Sequence, residues 1–327
     1  MFGDLHFHST RSDGIVTPEG RIEQMKALDP RREGLWALTD HDRFSSDFVM
    51  RAREAGFDTF SGAEISARSE SLGISLHVTC YTPELSSHFS SLVEGIVLGR
   101  KKKIAGQIEQ LAKKGFQINI KDFSLWIALQ GMSPDMASNW HIASYLWRDE
   151  SSSKASLALA ESLTNGRVHD KESFMKECLR ATGEYREVGY FVSDPYEPSL
   201  GKIAKMAEGE GALLSIAHPN FSFGKTLKRL GARAREDRYP IFRDVIAPKI
   251  AEEGVKNFEL NALASPPWIG ALESVSRRTR GIVTYGSDNH GLELPDDKHG
   301  IIGRQNPLLT REMVEKVRDR MREMVVG

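Results

Sequence analysis

The chain has 327 residues, 40 % of them hydrophobic and 27 % charged, and a net charge of −1. This describes a soluble globular protein of one large domain or two ordinary ones. No basic excess marks a nucleic-acid surface, although a pocket for a small nucleotide or short oligonucleotide needs only a few arginines. The two distant cysteines, Cys80 and Cys178, make no disulfide framework.

No stretch reaches transmembrane length and no basic segment leads into an apolar run at the N-terminus, so a cytoplasmic protein without a membrane partner is expected. A first strand is predicted over 2–8. It carries Asp4-Leu5-His6-Phe7-His8, whose two histidines face one side of a strand and can reach one metal ion. Taken alone, the pair reads equally well as two ordinary hydrogen-bonded histidines. Ser12-Asp13-Gly14 sets a carboxylate on the turn beside them. A helix follows to about residue 28, with Thr17 as N-cap and Pro18 in its first turn. A second strand over 34–38 ends in Thr39-Asp40-His41-Asp42, and a helix covers 46–55. A third strand, 58–65, carries Gly62-Ala63-Glu64, and a fourth, 74–81, carries His77. The alternation predicts an α/β protein with a mainly parallel sheet.

From about residue 86 the pattern is helical, with segments predicted over 92–114, 136–147, 154–163 and 171–181. The region 101–191 lacks the strand rhythm and reads as a helical insertion or cap, with Lys101-Lys102-Lys103 on a solvated face. The alternation then resumes. A helix over 199–208 precedes a strand over 212–217 ending at His218-Pro219, and helical pieces fall within 227–253. A strand over 255–260 ends near Glu259, and a helix covers 268–278. A strand over 282–285 ends in Gly286-Ser287-Asp288-Asn289-His290, and a helix over 310–324 closes the chain. Most of the seven predicted strands thus end in metal-type residues, where a β/α barrel assembles its active site. Only His88, His169 and His299 lie outside these motifs.

As a set, these pieces resemble the PHP family, the polymerase-and-histidinol-phosphatase metallophosphoesterases. The matching runs are Asp4-Leu5-His6-Phe7-His8-Ser9 with Ser12-Asp13-Gly14, Thr39-Asp40-His41-Asp42, and Gly62-Ala63-Glu64-Ile65, with His77 four residues before Tyr81. His141-Ile142-Ala143, Ala217-His218-Pro219 and Gly286-Ser287-Asp288-Asn289-His290 complete them in the family's order. The likeness is to small stand-alone members that hydrolyse phosphoesters of nucleotides and short oligonucleotides. It implies a distorted seven-stranded, TIM-like (β/α)7 barrel from residues 1–100 and 192–327, with 101–191 as the insertion. It also implies two or three divalent ions. The first would take His6, His8, Glu64 and Asp288; the second Glu64, His77 and His141; the third Asp13, His41 and His290. Mixed imidazole and carboxylate donors suit Mn, Fe or Zn.

Relatives carry a Gly-Arg-Pro run before the histidine matching His141, but here the run is Ser138-Asn139-Trp140. The missing phosphate arginine leaves Arg100, Arg148, Arg167, Arg180 and Arg186 as replacements, with Arg148 and Asn139 taken as substrate-binding. His218 is expected to face the substrate as phosphate contact or proton donor, against the alternative of a histidine packed on Pro219. Asp40 is the other candidate proton donor, through water, or like Asp42 a supporting or helix-capping group. Glu259 reads equally as a pocket or a structural residue. Trp126, Trp140 and Trp147 read as insertion core or as base-stacking groups. The expected reaction is hydrolysis of a phosphoester of a small nucleotide-like or other phosphorylated metabolite by a hydroxide bridging two ions. The alternatives are amidohydrolase-like cleavage of a C–N or C–O bond, an exoribonuclease on short oligonucleotides, and a non-catalytic metal-binding module. The sequence does not specify an oligomeric state.

Overall fold

Strand β1 (Gly3–Phe7) begins a three-stranded parallel sheet with β2 (Leu35–Leu38) and β3 (Asp58–Thr59), in the order β1-β2-β3. All residues of β1 and β2 are buried, because both faces of this sheet are covered. One face packs Phe7, Trp36 and Leu38 against Ile22 and Met25 of α1 (Pro18–Leu28) and Phe48 of α2 (Ser46–Glu54). The other face carries Asp4 and His6. Helix α1 starts as its sequence dictates: the Thr17 hydroxyl accepts from the Gly20 N–H at 3.1 Å, and Pro18 occupies the first helical position.

A break at Phe60 separates β3 from β4 (Ser61–Ser69), which pairs antiparallel with β5 (Ile74–Thr82) across a turn at Gly73. Helix α3 (Ser87–Lys113) leads into α4 (Ile120–Leu129), α5 (Asn139–Leu146), α6 (Glu150–Leu163) and α7 (Lys171–Cys178). Then come α8 (Leu200–Gly209), β6 (Leu213–Ile216), α9 (Pro219–Ser222), α10 (Gly224–Arg229), α11 (Arg238–Ile241), α12 (Ala247–Glu252) and β7 (Asn257–Asn261). The chain ends with α13 (Pro266–Thr279), β8 (Val283–Gly286) and α14 (Arg311–Val326). Strands β4 to β8 form the second sheet in sequence order, antiparallel across β4-β5-β6 and parallel across β6-β7-β8.

This is a computed structural model, and it describes residues 2–84, 86–180, 182–191, 196–234, 236–291 and 299–326. It corrects the expected barrel in two respects. The strand predicted over 58–65 is two strands, so sheets of three and five replace a continuous seven-stranded ring, and β5 runs against its neighbours. The sheets meet through single parallel bridges in place of ladders, Phe7 to Asn289 on one side and His41 to Glu64 on the other. The first seam adds Asp288 N–H to His6 O (2.7 Å) and His8 N–H to Asn289 O (2.9 Å). The second adds Asp42 N–H to Glu64 O (2.8 Å) and Glu64 N–H to Asp40 O (3.2 Å).

The chain divides into two compact units, Met1–Glu94 with Glu197–Gly327, and Gly95–Tyr196. The second unit is helical, with Ile104, Ile108, Leu111, Phe116, Phe123 and Phe174 in its core. Helix α4, absent from the sequence expectation, is capped by Asn119, whose Oδ1 accepts from the Asp122 N–H at 2.9 Å. Cys80 and Cys178 are both buried thiols, and burial pushes the Cys178 thiol up to about 12. Among the described residues no helix is long and apolar enough to cross a membrane.

Candidate metal centre

The metal-type residues nominated from the first unit come together beside the two seams. His6 lies on β1 and His8 just past its end, and Asp288 follows β8 across the first seam. Glu64 enters from β4 across the second. His6 Nε2 and His8 Nε2 lie 3.2 Å apart. They stand 3.3 and 3.2 Å from Glu64 Oε2, and 3.4 and 3.2 Å from Asp288 Oδ1. Donors bound to one ion at about 2.1 Å sit about 3.0–3.4 Å apart, and all five separations fall in that range. Glu64 Oε2 is buried without a hydrogen-bond partner, as is Asp13 Oδ1. A buried carboxylate oxygen that faces several imidazole nitrogens and accepts no hydrogen bond from them suits a cation-binding position. His6, His8, Glu64 and Asp288 therefore have the chemistry and the spacing to hold one ion.

Glu64 divides its oxygens. Oε1 faces His77 Nδ1 at 3.0 Å and His218 Nε2 at 2.9 Å, while Oε2 faces His6, His8 and His41 Nδ1 (3.1 Å). A carboxylate with imidazoles on both oxygens is suited to bridge two ions. Burial alone would raise its pKa, but the imidazoles of His41, His77 and His6 and the His218 hydrogen bond outweigh it and hold the carboxyl well below the usual range. His41, Glu64 and His77 form a second donor group, and His8, Asp13, His41 and His290 a third. Asp13 reaches His290 Nε2 at 3.1 Å and His41 Nε2 at 3.4 Å. Its carboxyl is likewise held low, against burial, by those two rings. The centre opens to solvent at His77 and Asp13, whose side chains are 38 % and 36 % exposed.

Buried polar groups hold the donors in place. Asp40 accepts from Ser9 N–H (2.7 Å), Ser9 Oγ (2.7 Å) and Ser12 Oγ (2.8 Å), so it fastens the loop that carries Asp13. Asp42 accepts from Ser66 N–H at 2.6 Å and secures β4 two residues past Glu64. Asp4 accepts from His6 N–H, Ser287 N–H and Gly303 N–H at 2.9–3.1 Å. Arg21, fully buried, donates to His8 O, Asn289 O and Asn289 Oδ1 at 2.7–3.0 Å, and burial brings its pKa down to about 10. Gly286 is required by close approach, since a Cβ there would lie 2.2 Å from His6 Cβ.

Three nominated residues lie in the second unit. His141 Nδ1 accepts from the Ser138 N–H at 3.0 Å in a capping box at the start of α5. The Asn139 amide donates to Leu179 O at 2.8 Å. Arg148 donates to Tyr145 O at 2.8 Å, stacks on the Tyr145 ring and lines a cavity of ≈ 450 Å³ with Phe116, Asn119 and Asp122. Trp126 and Trp147 pack edgewise or tilted on Tyr145 and Phe174 of the helical core, and half-exposed Trp140 lies under Lys171. The third donor grouped with Glu64 and His77 among the described residues is His41, where the resemblance had placed His141. The sequence reading also passed over His299, whose ring lies 4.2 Å from that of His290 and which groups with Asp288 and His290. Nothing in its spacing signals this.

No protein-family model matches the chain. Over 230 residues it is 27 % identical to a 3′,5′-nucleoside bisphosphate phosphatase of Chromobacterium violaceum, covering 68 % of this chain and 69 % of that one. A 73-residue stretch is 36 % identical to a 5′-3′ exoribonuclease of Haemophilus influenzae, covering 22 % of this chain and 26 % of the relative. A Bifidobacterium adolescentis structure assigned as a metal-dependent phosphoesterase superposes with a TM-score of 0.63 at 22 % identity, covering 97 % of this chain and 95 % of that one. An amidohydrolase structure from Chromobacterium violaceum with bound sulfate gives 0.63 at 21 %, covering 97 % and 96 %. The chain shares their fold.

Proposed function

We propose that the chain is a metal-dependent phosphoester hydrolase of the PHP type, acting on a small phosphorylated substrate of the nucleotide class. The observation that carries this reading is the set of 3.2–3.4 Å separations among His6, His8, Glu64 and Asp288 around an unpaired carboxylate oxygen. The phosphatase relative supports the phosphorus substrate. Arg43 supports it too: it is exposed, two residues past His41, and its Nη1 lies 3.5 Å from the Arg11 carbonyl on the loop carrying Asp13. A cation at that rim suits a phosphate more than an amide.

Two or three ions of Mn, Fe or Zn fit the donors, with His6, His8, Glu64 and Asp288 at one position. His77 shares Glu64 at a second, with His41, and Asp13, His41 and His290 stand at a third. Ions held by these residues would supply Lewis acidity to the phosphoryl oxygens and to water. The chain's own groups do the rest. Glu64 keeps its oxygens unprotonated between the imidazoles, and Asp13 and His290 hold the outer donor group open to solvent. His218 Nε2 lies 2.9 Å from Glu64 Oε1, at the edge of the centre, where an Nε2–H is placed to pass to the leaving oxygen. Asp40, with its oxygens occupied as acceptors, serves the loop instead.

The test is phosphate release by protein loaded with Mn, Fe or Zn, assayed on nucleoside 3′,5′-bisphosphates, cyclic nucleotides, sugar phosphates and short RNA. Metal-dependent turnover of a nucleotide phosphoester is expected, with His8→Ala and Asp288→Ala losing both metal and turnover. Metal-loaded protein that cleaves amides or lactones and no phosphoester would overturn the reading.

A further inference from the structure

Glu259, near the end of β7, is fully buried and divides its two oxygens between separate parts of the centre. Oε2 lies 2.6 Å from His6 Nδ1, and Oε1 accepts from the backbone N–H of His218 at 3.3 Å. A carboxylate accepts only, so the hydrogen of the first contact belongs to His6 Nδ1. The opposite nitrogen, Nε2, which faces Glu64 Oε2 and Asp288 Oδ1, is then the one that would turn a lone pair to a bound cation. The second contact falls on a strained residue. His218 has φ +32°, in the left-handed region that non-glycine residues avoid, and this bend turns its ring so that Nε2 meets Glu64 Oε1 at 2.9 Å. Ser222 Oγ, 2.9 Å from His218 Nδ1, holds the ring's other nitrogen.

We propose that Glu259 is a positioning residue that acts on two histidines at once, fixing the tautomer of His6 and the strained backbone of His218. It touches neither Glu64 nor Asp288 in any hydrogen bond or ion pair among the described residues, so its effect on the centre passes through those two histidines. The proposal rests on the metal-centre reading above and needs no particular substrate.

Near-isosteric Glu259→Gln can keep only one of the two contacts. One amide oxygen can accept from His6 Nδ1–H or from the His218 N–H, while the amide NH₂ meets the other donor and repels it. Glu259→Leu removes both acceptors. Divalent-ion affinity, measured on the folded protein by chelator competition with Zn(II), should fall by roughly 10–100-fold in Glu259→Leu and by less in Glu259→Gln. In the Zn(II)-loaded wild type, ¹⁵N-histidine NMR should show His6 protonated at Nδ1, with a strongly downfield proton that is lost in Glu259→Leu. A purely structural role would lower the melting temperature and leave the affinity of the folded fraction unchanged. Unchanged affinity in both variants would overturn the proposal while leaving the phosphoesterase reading intact, whereas a His6 protonated at Nε2 would overturn it together with the place of His6 among the metal donors. A wild-type protein that takes up no divalent ion would overturn both.

Discussion

At Gly286 one hydrogen atom separates two strands. Adding a methyl group would put Cβ 2.2 Å from His6 Cβ, and the contact falls on a proposed metal ligand. Gly286→Ala is expected to destabilise the protein by about 1–3 kcal/mol through overpacking and to reduce metal content at the His6 position; melting and elemental analysis check both. The titrations argue a second prediction. Burial lowers the pKa of His6, but Glu259, Glu64 and Asp288 raise it well above the ordinary 6.5, and His290 is likewise raised, against burial, by Asp13. Without metal, that contribution to stability is complete below 6.5 and is lost as pH rises through the raised values. Glu64 and Asp13, held low, contribute above their ordinary carboxylate range and lose it only as pH falls toward their lowered values. Metal binding requires neutral imidazoles and displaces their protons. The gap in melting temperature between metal-loaded and metal-free protein should therefore widen as pH rises from about 6 to about 8. A gap constant across that range would contradict the assignment of these histidines as ligands.

The loop between β1 and α1 shows how an element is held by one side chain. Asp40→Ala would strand the buried Ser9 N–H, at a cost of about 1–3 kcal/mol, and free the turn bearing Asp13. The expected outcome is lower stability with loss of the outer metal and retention of the His6–His8 site. Loss of turnover with unchanged stability and metal content would instead make Asp40 a proton donor. Much at this scale was legible. Thr17-Pro18 marks its helix start, and strand ends tipped with His or Asp come together because the period of two aims alternate residues inward. Other features were not. The reversal of β5 depends on the Gly73 turn, and the break at Phe60 depends on which backbone partners each half of the strand finds. Glu259 was ambiguous because its meaning comes from His6, 253 positions away. Asp4, Arg21 and Asn289 are anchors that pattern alone cannot separate from ordinary polar residues.

For the molecule as a whole, the pairing of sheets and donors matters most. Each seam between the sheets depends on a single bridge and a few hydrogen bonds, and each is flanked by metal-type side chains: His8 and Asp288 at one, His41 and Glu64 at the other. Removing metal should raise hydrogen exchange at the Asp288, His8, Asp42 and Glu64 amides, while the β4–β5 ladder stays protected. Equal protection at the seams with and without metal would show that the sheets need no such help. If the seams respond, the ions work as rivets between two plates as well as as reagents. The two roles would then be inseparable in selection: a substitution that loosens the grip on the cation also parts the sheets, and a chelator acts as a local denaturant before it acts as an inhibitor.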